Sequence, residues 1–589
     1  MFDASWPGSS WVPGEWSSDQ VECRRLPPSP PPPPPPSPLH ASPLSPEDAK
    51  AARSWSFCAG SCCSPGARNR SCVYGNLFFR PPPQIRKDLW ENGLQQSDLR
   101  QRMDPFTYVV EPGTAAPPRD DISTFLANRF GGGGVLTWGS STRFAPVMKH
   151  AGEAPRVTKV IEQPIMLAGD LHGNPGHNYL DCVFPAFAAL HRVRRAAAAV
   201  VRPNSPHRSF EPLTVSGLPP ELVPGQEAMC AAKATLRQVP DLTHSSGQNV
   251  TYLLTDAWRG EKSTHTISWH RETDERAVAD TIFGMTADLP QLVTACPDGC
   301  LLRTVVSGIG HIGLCTVNER NEIGGAREGR SLWHFRQRVF ASHKHELPPP
   351  LPAGSRRRLV IVPNKRRFEN LDELAALVSQ QHPEIDVQVV RWEKITFAEK
   401  LATFRDMAVQ VSGVGTAQNN AFLLPAGAVH VSLGWRHAEA KCRIHYFDSM
   451  TINSLDQARV LYRTCFDPWE LAPPRPAKET GATGANVRLN LTKTTALIDE
   501  ALRLQAAGFP IPVPEHVNSN VYDRAYEEMA IRSKGATHRL RTNDVEENEM
   551  HKGLCWTVNG IEDILWGRLA NSCGPYTTYK DAIIRDFNL

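Results

Sequence analysis

The segment Val409-Gln410-Val411-Ser412-Gly413-Val414-Gly415-Thr416-Ala417-Gln418-Asn419-Asn420 has residue types and spacing suited to holding an anion. An apolar run ends, two glycines and small residues make a tight turn, and a helix is expected to start near Thr416 or Ala417. Such a turn aims free backbone N–H groups and the positive end of a helix dipole above the sheet, which is what a diphosphate needs. Gly413, Gly415, Thr416 and Asn420 are the candidate binding residues. A G-x-G alone is a weak signal, because ordinary βα turns also contain glycine. Upstream, Asn364-Lys365-Arg366-Arg367-Phe368-Glu369-Asn370 follows directly on the apolar run Leu359 to Val362. This sets cations at the carboxyl end of an expected strand, the edge where open α/β sheets bind ligands. Arg366 or Arg367 could make a two-pronged contact with phosphates. The plainer alternative is a set of solvated loop charges.

The elements that must position these residues follow from hydrophobic periodicity. Arg358 to Pro363 reads as a buried parallel strand, Asn370 to Ser379 as a helix and Val387 to Arg391 as a strand. Phe397 to Met407 reads as a helix, and Ala408 to Val411 and Val429 to Leu433 as strands. That alternation is half of a doubly wound fold. Strand-like runs at Val157 to Ile161, Val250 to Leu254 and Thr304 to Val306 alternate with helix-like runs at Tyr179 to Val193 and Leu332 to Ala341, which suggests a second α/β layer. Residues 491–507 form an amphipathic helix. Residues 1–66 are rich in Pro, Ser and Gly, with a run from Pro27 to Pro38 broken only by Ser29 and Ser37, and are expected to be disordered. The expected division is therefore a tail over 1–66, an N-terminal Rossmann-like domain over 67–345, a C-terminal Rossmann-like domain over 346–510 and an extension over 511–589.

At 589 residues the chain is too long for one core, since single cores stop growing at roughly 250 to 300 residues. The 64 Lys+Arg against 61 Asp+Glu leave a formal charge of +3, without the basic stripe of a nucleic-acid binder. Cys58, Cys62, Cys63 and Cys72 form a close group with no second cluster to complete a tetrahedral metal site, which favours disulfides, and Cys296 with Cys300 can close a small loop. The sequons at Asn69, Asn249 and Asn490 permit glycosylation in a secretory compartment. No stretch of about 18 apolar residues and no charged start followed by an apolar run is visible, so neither a membrane anchor nor a signal peptide is read here. Either the chain is cytosolic or its true start lies further upstream.

Taken together, strand, Arg-Arg-x-x-Asn, helix, strand, a helix ending in Phe404-Arg405-Asp406, then Gly-x-Gly-x-x-x-x-Asn and Phe-Leu-x-Pro-x-Gly-Ala resemble the C-terminal half of glycosyltransferase family 61. That family includes protein O-linked N-acetylglucosaminyltransferases and plant arabinoxylan transferases. The likeness is strongest from Arg358 to Leu433 and adds Asn370 to the donor-side candidates. A second similar region is Gly173-Asn174-Pro175-Gly176-His177-Asn178-Tyr179-Leu180-Asp181-Cys182-Val183-Phe184-Pro185, and Cys72 to Phe79 is a weaker echo. His177 and Asp181 are four apart and would share one face of a helix. Either could act as general base, or Asp181 could orient His177. A helix-start His paired locally with an acid is the alternative.

The resemblance implies a GT-B architecture, two Rossmann-like domains facing a cleft, with inverting transfer from a nucleoside-diphosphate sugar to a glycan or glycoprotein acceptor. It also implies a Golgi or endoplasmic reticulum lumen. No Asp-x-Asp donor loop is present, so no metal or other cofactor is expected. One departure stands out: where the family commonly has His-Gly-Ala, this chain has Val414-Gly415-Thr416. Val414 cannot donate to a diphosphate, although Thr416 could through its hydroxyl or N–H. A glycan-binding or scaffold protein that has lost turnover is therefore the alternative of a different class.

Overall fold

The computed structural model describes residues 39–60, 70–81, 105–112, 116–126, 143–169, 178–202, 213–216, 226–242, 250–255, 272–309, 329–342, 357–363, 368–413, 418–425, 427–433, 459–463, 470 and 487–507. These form a mixed α/β structure with one large mixed sheet, one five-stranded parallel sheet and a small two-stranded one.

The large sheet has 11 strands and runs Leu213–Ser216, Trp55–Ala59, Ser71–Phe79, Cys300–Gly308, Ile165–Ala168, Val250–Leu254, Gly284–Asp288 along its main path. Its last four strands are mutually parallel. Counted in chain order, they lie as 3-2-1-4, the order that begins a Rossmann sheet and reverses direction between strands 1 and 4. The remaining strands of the path extend the sheet by antiparallel pairing. Ser71–Phe79 is buried along almost its whole length, as a strand covered on both faces must be. Trp55 lies opposite Gly75, where a Cβ would sit 1.9 Å from the indole nitrogen, so glycine makes room for the ring.

The expected disordered stretch 1–66 is corrected at its C-terminal end. Residues 42–59 contribute two strands and the helix Pro46–Ala51, and Phe57, Cys58 and Ala59 are fully buried. The Pro and Ser around them mask a five-residue strand that is stabilised only by distant partners, Ser71–Phe79 on one side and Leu213–Ser216 on the other. The disulfides Cys58–Cys72 and Cys296–Cys300 are formed, the first across paired strands. Cys62, Cys63, Asn69, Asn249, residues 1–38 and residues 508–589 lie outside the described residues.

The parallel sheet runs Ile385–Val389, Arg357–Val362, Met407–Gly413, Val429–Leu433, Arg459–Arg463, or 2-1-3-4-5 in chain order, a doubly wound arrangement of the flavodoxin type. Helix Leu371–Gln381 turns Leu371, Leu374 and Val378 onto the sheet, and helix Leu491–Ala507 packs Leu497, Ile498, Ala501 and Leu502 on the same face. Thr396 and Glu399 form a capping box that starts helix Phe397–Phe404. That helix is shorter than expected, because Met407 is already the first residue of the next strand. Arg358 pairs with Asp386 at 3.1 Å and Asp406 at 2.8 Å, so the Asp406 that contributes to the family likeness ties together the amino ends of three strands.

Candidate functional site

Strands Arg357–Val362 and Met407–Gly413 are the first and third of the parallel sheet, and the chain reverses its direction of build between them. Val362 lies beside Ser412 in parallel register, so both chains leave the sheet at one edge and one level. The first continues into the segment with Arg366 and Arg367, the second into the Gly-rich turn. Two segments almost fifty residues apart thus begin as neighbours at the switch point, the place where a doubly wound sheet takes its ligand. Gly413 is buried as the last residue of its strand, and Asn420 is buried beyond the turn. Arg366, Arg367, Gly415 and Thr416 lie outside the described residues.

Beyond the turn the structure differs from expectation. The helix expected from Thr416 or Ala417 is a six-residue 3-10 segment, Gln418–Leu423. Pro425 explains this: it has no N–H to give the carbonyl of Ala421, and it disfavours helical backbone at Leu424. So short a segment carries little of the helix dipole expected from the sequence at this turn.

Asn370 is 3% exposed, and both ends of its amide are engaged. Its Nδ2 donates to the Leu489 carbonyl at 3.0 Å, and its Oδ1 accepts from the Leu489 N–H at 2.8 Å. Beside it, Glu369 N donates to the Val487 carbonyl at 2.9 Å. Asn370 therefore ties the start of helix Leu371–Gln381 to the strand-like segment that precedes the last described helix.

The first sheet offers a second edge of the same kind. Ile165–Ala168 is strand 1 at its reversal, and the Ala168 carbonyl accepts from both the N–H and the hydroxyl of Thr255 at 2.9 Å. The chain then runs through Gly173 to His177, outside the described residues, into a π-helical turn over Asn178–Val183 that continues as the α-helix Phe184–Val201. Asp181 therefore stands in a π-helical turn and not in the regular α-helix assumed for it. Pro185 supplies the reason: it cannot donate to the carbonyl of Asp181, so one α-helical rung is lost. Tyr252 Oη donates to the neighbouring Cys182 carbonyl at 3.1 Å, and its ring stacks on Phe283 at 4.6 Å. His177 and the side chain of Asp181 lie outside the described residues.

What joins the two edges is aromatic packing. Tyr179, two residues after His177, meets Phe397 at 5.7 Å and Phe422 at 5.8 Å, and Phe422 follows Asn420 by two residues. Phe335, on helix Gly329–Ser342, touches Phe422 at 5.9 Å and also Phe184 and Phe187. Each such pair adds about 0.5 to 1.5 kcal/mol beyond burial. One core cluster thus includes Ala168 from the first sheet and Val362 from the second. Sequence reasoning misses these rings, because isolated aromatics in unrelated segments carry no periodic signal. Next to Phe335, Arg336 is 2% exposed, and burial pushes its guanidinium down to about 9.

Among the described residues, no helix is long and apolar enough to cross a membrane. No curated protein matches the chain. Residues 234–431 match the family model described as Glycosyltransferase 61. The match spans every donor-side candidate from Arg366 to Asn420, and it begins after His177, Asp181 and the Cys72 to Phe79 strand. That match covers the segment that builds the switch-point edge, and over residues 234–431 the chain is similar to glycosyltransferase family 61.

Proposed function

We propose that this glycosyltransferase moves a sugar, N-acetylglucosamine or a pentose, from a nucleoside-diphosphate sugar to a hydroxyl of a glycan or glycoprotein, with inversion at the anomeric carbon, in a GT-B arrangement. The observation that carries the reading is the paired departure of the Arg366–Arg367 and Gly413–Asn420 segments from neighbouring strand ends, inside the family-matched region. Arg366 or Arg367, with the turn at Gly413, Gly415 and Thr416, takes the diphosphate and offsets its growing charge as it leaves. Asn420 and Asn370 brace the ends of these loops. Asp181 or His177 removes the acceptor proton, a role favoured by the Tyr179–Phe422 contact, which brings the π-helical turn that contains Asp181 against the segment following the Gly-rich turn. Positioning and charge relief carry the catalysis, with no metal required.

Two buried disulfides favour an oxidising compartment, consistent with the Golgi or endoplasmic reticulum lumen in which enzymes of this family typically work. Calorimetric titration with a panel of nucleoside diphosphates, followed by donor-hydrolysis and transfer assays with and without EDTA, tests the proposal. Binding that is lost in Arg366→Ala or Arg367→Ala, with EDTA-resistant turnover, is the expected result. Binding with neither hydrolysis nor transfer would instead identify a protein that kept the site and lost the reaction, as Val414 would allow.

A further inference from the structure

Strand alternation gives the parallel sheet two unlike faces. Val409, Val411, Val429, Val431 and Leu433 pack against helices Leu371–Gln381 and Leu491–Ala507. The opposite face carries Gln410 and Ser412 on one central strand and His430 on the next, with Gln410 directly beside His430. All three are at most 1% exposed. Yet Gln410 Oε1 and Nε2, Ser412 Oγ and both ring nitrogens of His430 have no hydrogen-bond partner among the described residues. A buried polar group left unsatisfied costs about 1 to 3 kcal/mol. Five such atoms on one patch of a central sheet call for partners that the described residues do not supply.

The chemistry of the patch restricts what those partners are. Burial holds the His430 imidazole neutral at physiological pH, so it offers one donor and one acceptor. Gln410 and Ser412 are also neutral and can both donate and accept. Such a set solvates neither an anion nor a cation well, and it suits water, which needs two to four polar partners. The patch also has a direction. Ser412 adjoins Gly413, where the Gly-rich turn begins, and Val360 and Val362, on the same face, pack with Ala421 to Leu424, where the turn's continuation crosses back.

We infer that Gln410, Ser412 and His430 hold a short chain of internal water that braces the two ends of the Gly-rich turn, Gly413 and Asn420, making Gln410 and His430 positioning residues for the donor diphosphate. The last step rests on the proposed donor site, whereas the water chain itself does not.

A crystal structure of the full chain tests the water directly. A water bonded to both Gln410 and His430 is expected, and a dry patch or a direct bond between the two side chains overturns the inference. UDP titration and donor kinetics test the positioning. Gln410→Met should weaken UDP binding about tenfold, as displaced binding groups commonly do, and raise donor KM more than it lowers kcat. His430→Asn, which can still bond water, should stay close to wild type. If Gln410→Met instead raises the melting temperature and leaves UDP affinity unchanged, the patch is a dry defect and the inference fails. Should the wild-type chain bind no nucleoside diphosphate, the donor site and the positioning role fall together, and the crystal structure still decides the water chain.

Discussion

Asp181 illustrates how little a residue's type says before its surroundings are known. It sits in a π-helical turn whose irregularity is caused by Pro185 and stabilised by Tyr252, and such turns recur at functional sites. If Asp181 is the base, Asp181→Asn should lower kcat by on the order of a hundredfold while UDP affinity is retained. Unchanged turnover would remove it from the role and leave His177. His430 makes a prediction of another kind. Burial lowers its pKa from 6.5 to about 3, so the folded state keeps it neutral where the unfolded chain takes up a proton. Its contribution is complete above pH 6.5 and is lost as pH falls toward 3. Relative to His430→Asn, wild-type stability should drop by about 2 kcal/mol between pH 7 and 5, at about 1.4 kcal/mol per pH unit once below 6.5. Urea unfolding of both proteins at the two pH values measures it, and parallel curves would contradict it.

Elements are held by contacts that local propensity does not reveal. Asn370, read as a donor-side residue from its place in the motif, spends both ends of its amide on Leu489. Asn370→Ala should therefore cost about 2 to 3 kcal/mol in unfolding free energy, because it leaves a buried N–H and a carbonyl unpaired. Any rise in donor KM should accompany that loss of stability, and a large rise in KM at full stability would restore the direct role. The Cys58–Cys72 bridge acts in the same long-range way on a strand embedded in Pro- and Ser-rich sequence. Replacing both cysteines with alanine should lower stability by about 3 kcal/mol, the expectation for a loop of this length, measured by the same unfolding experiment under non-reducing conditions. The parallel sheet was far more legible than the mixed one. Its strands are apolar runs separated by helices of ordinary length, so Leu359 to Val362 and Val429 to Leu433 could be read directly. Trp55–Ala59 could not, because its partners lie elsewhere in the chain.

For the molecule as a whole, the two sheets share a core. The large sheet's strands all end by Gly308 and the parallel sheet's begin at Arg357, yet rings packed against both meet around Phe335 and Phe422. Phe335 is fully buried among Phe184, Phe187 and Phe422. Phe335→Ala should cost about 3 to 5 kcal/mol, the usual range for a buried aromatic truncation, and should move one common unfolding transition. Two separated transitions in the wild-type protein would indicate that this shared core couples the sheets weakly.

Sequence by itself determined the alternating α/β pattern, the strand ends that carry Arg366, Arg367 and the Gly-rich turn, and the family likeness that the match over 234–431 bears out. These are local properties: periodicity reports which face of a segment is buried, and glycine reports where the backbone must turn. The tertiary structure decided that Val362 and Ser412 end side by side, that Tyr179 leans on Phe422, and that Gln410 and His430 lie side by side with no hydrogen-bond partner among the described residues. Each depends on strand order and on packing between segments distant in the chain. Pairing energy of that kind is a property of juxtaposed surfaces, so no single segment carries its signal.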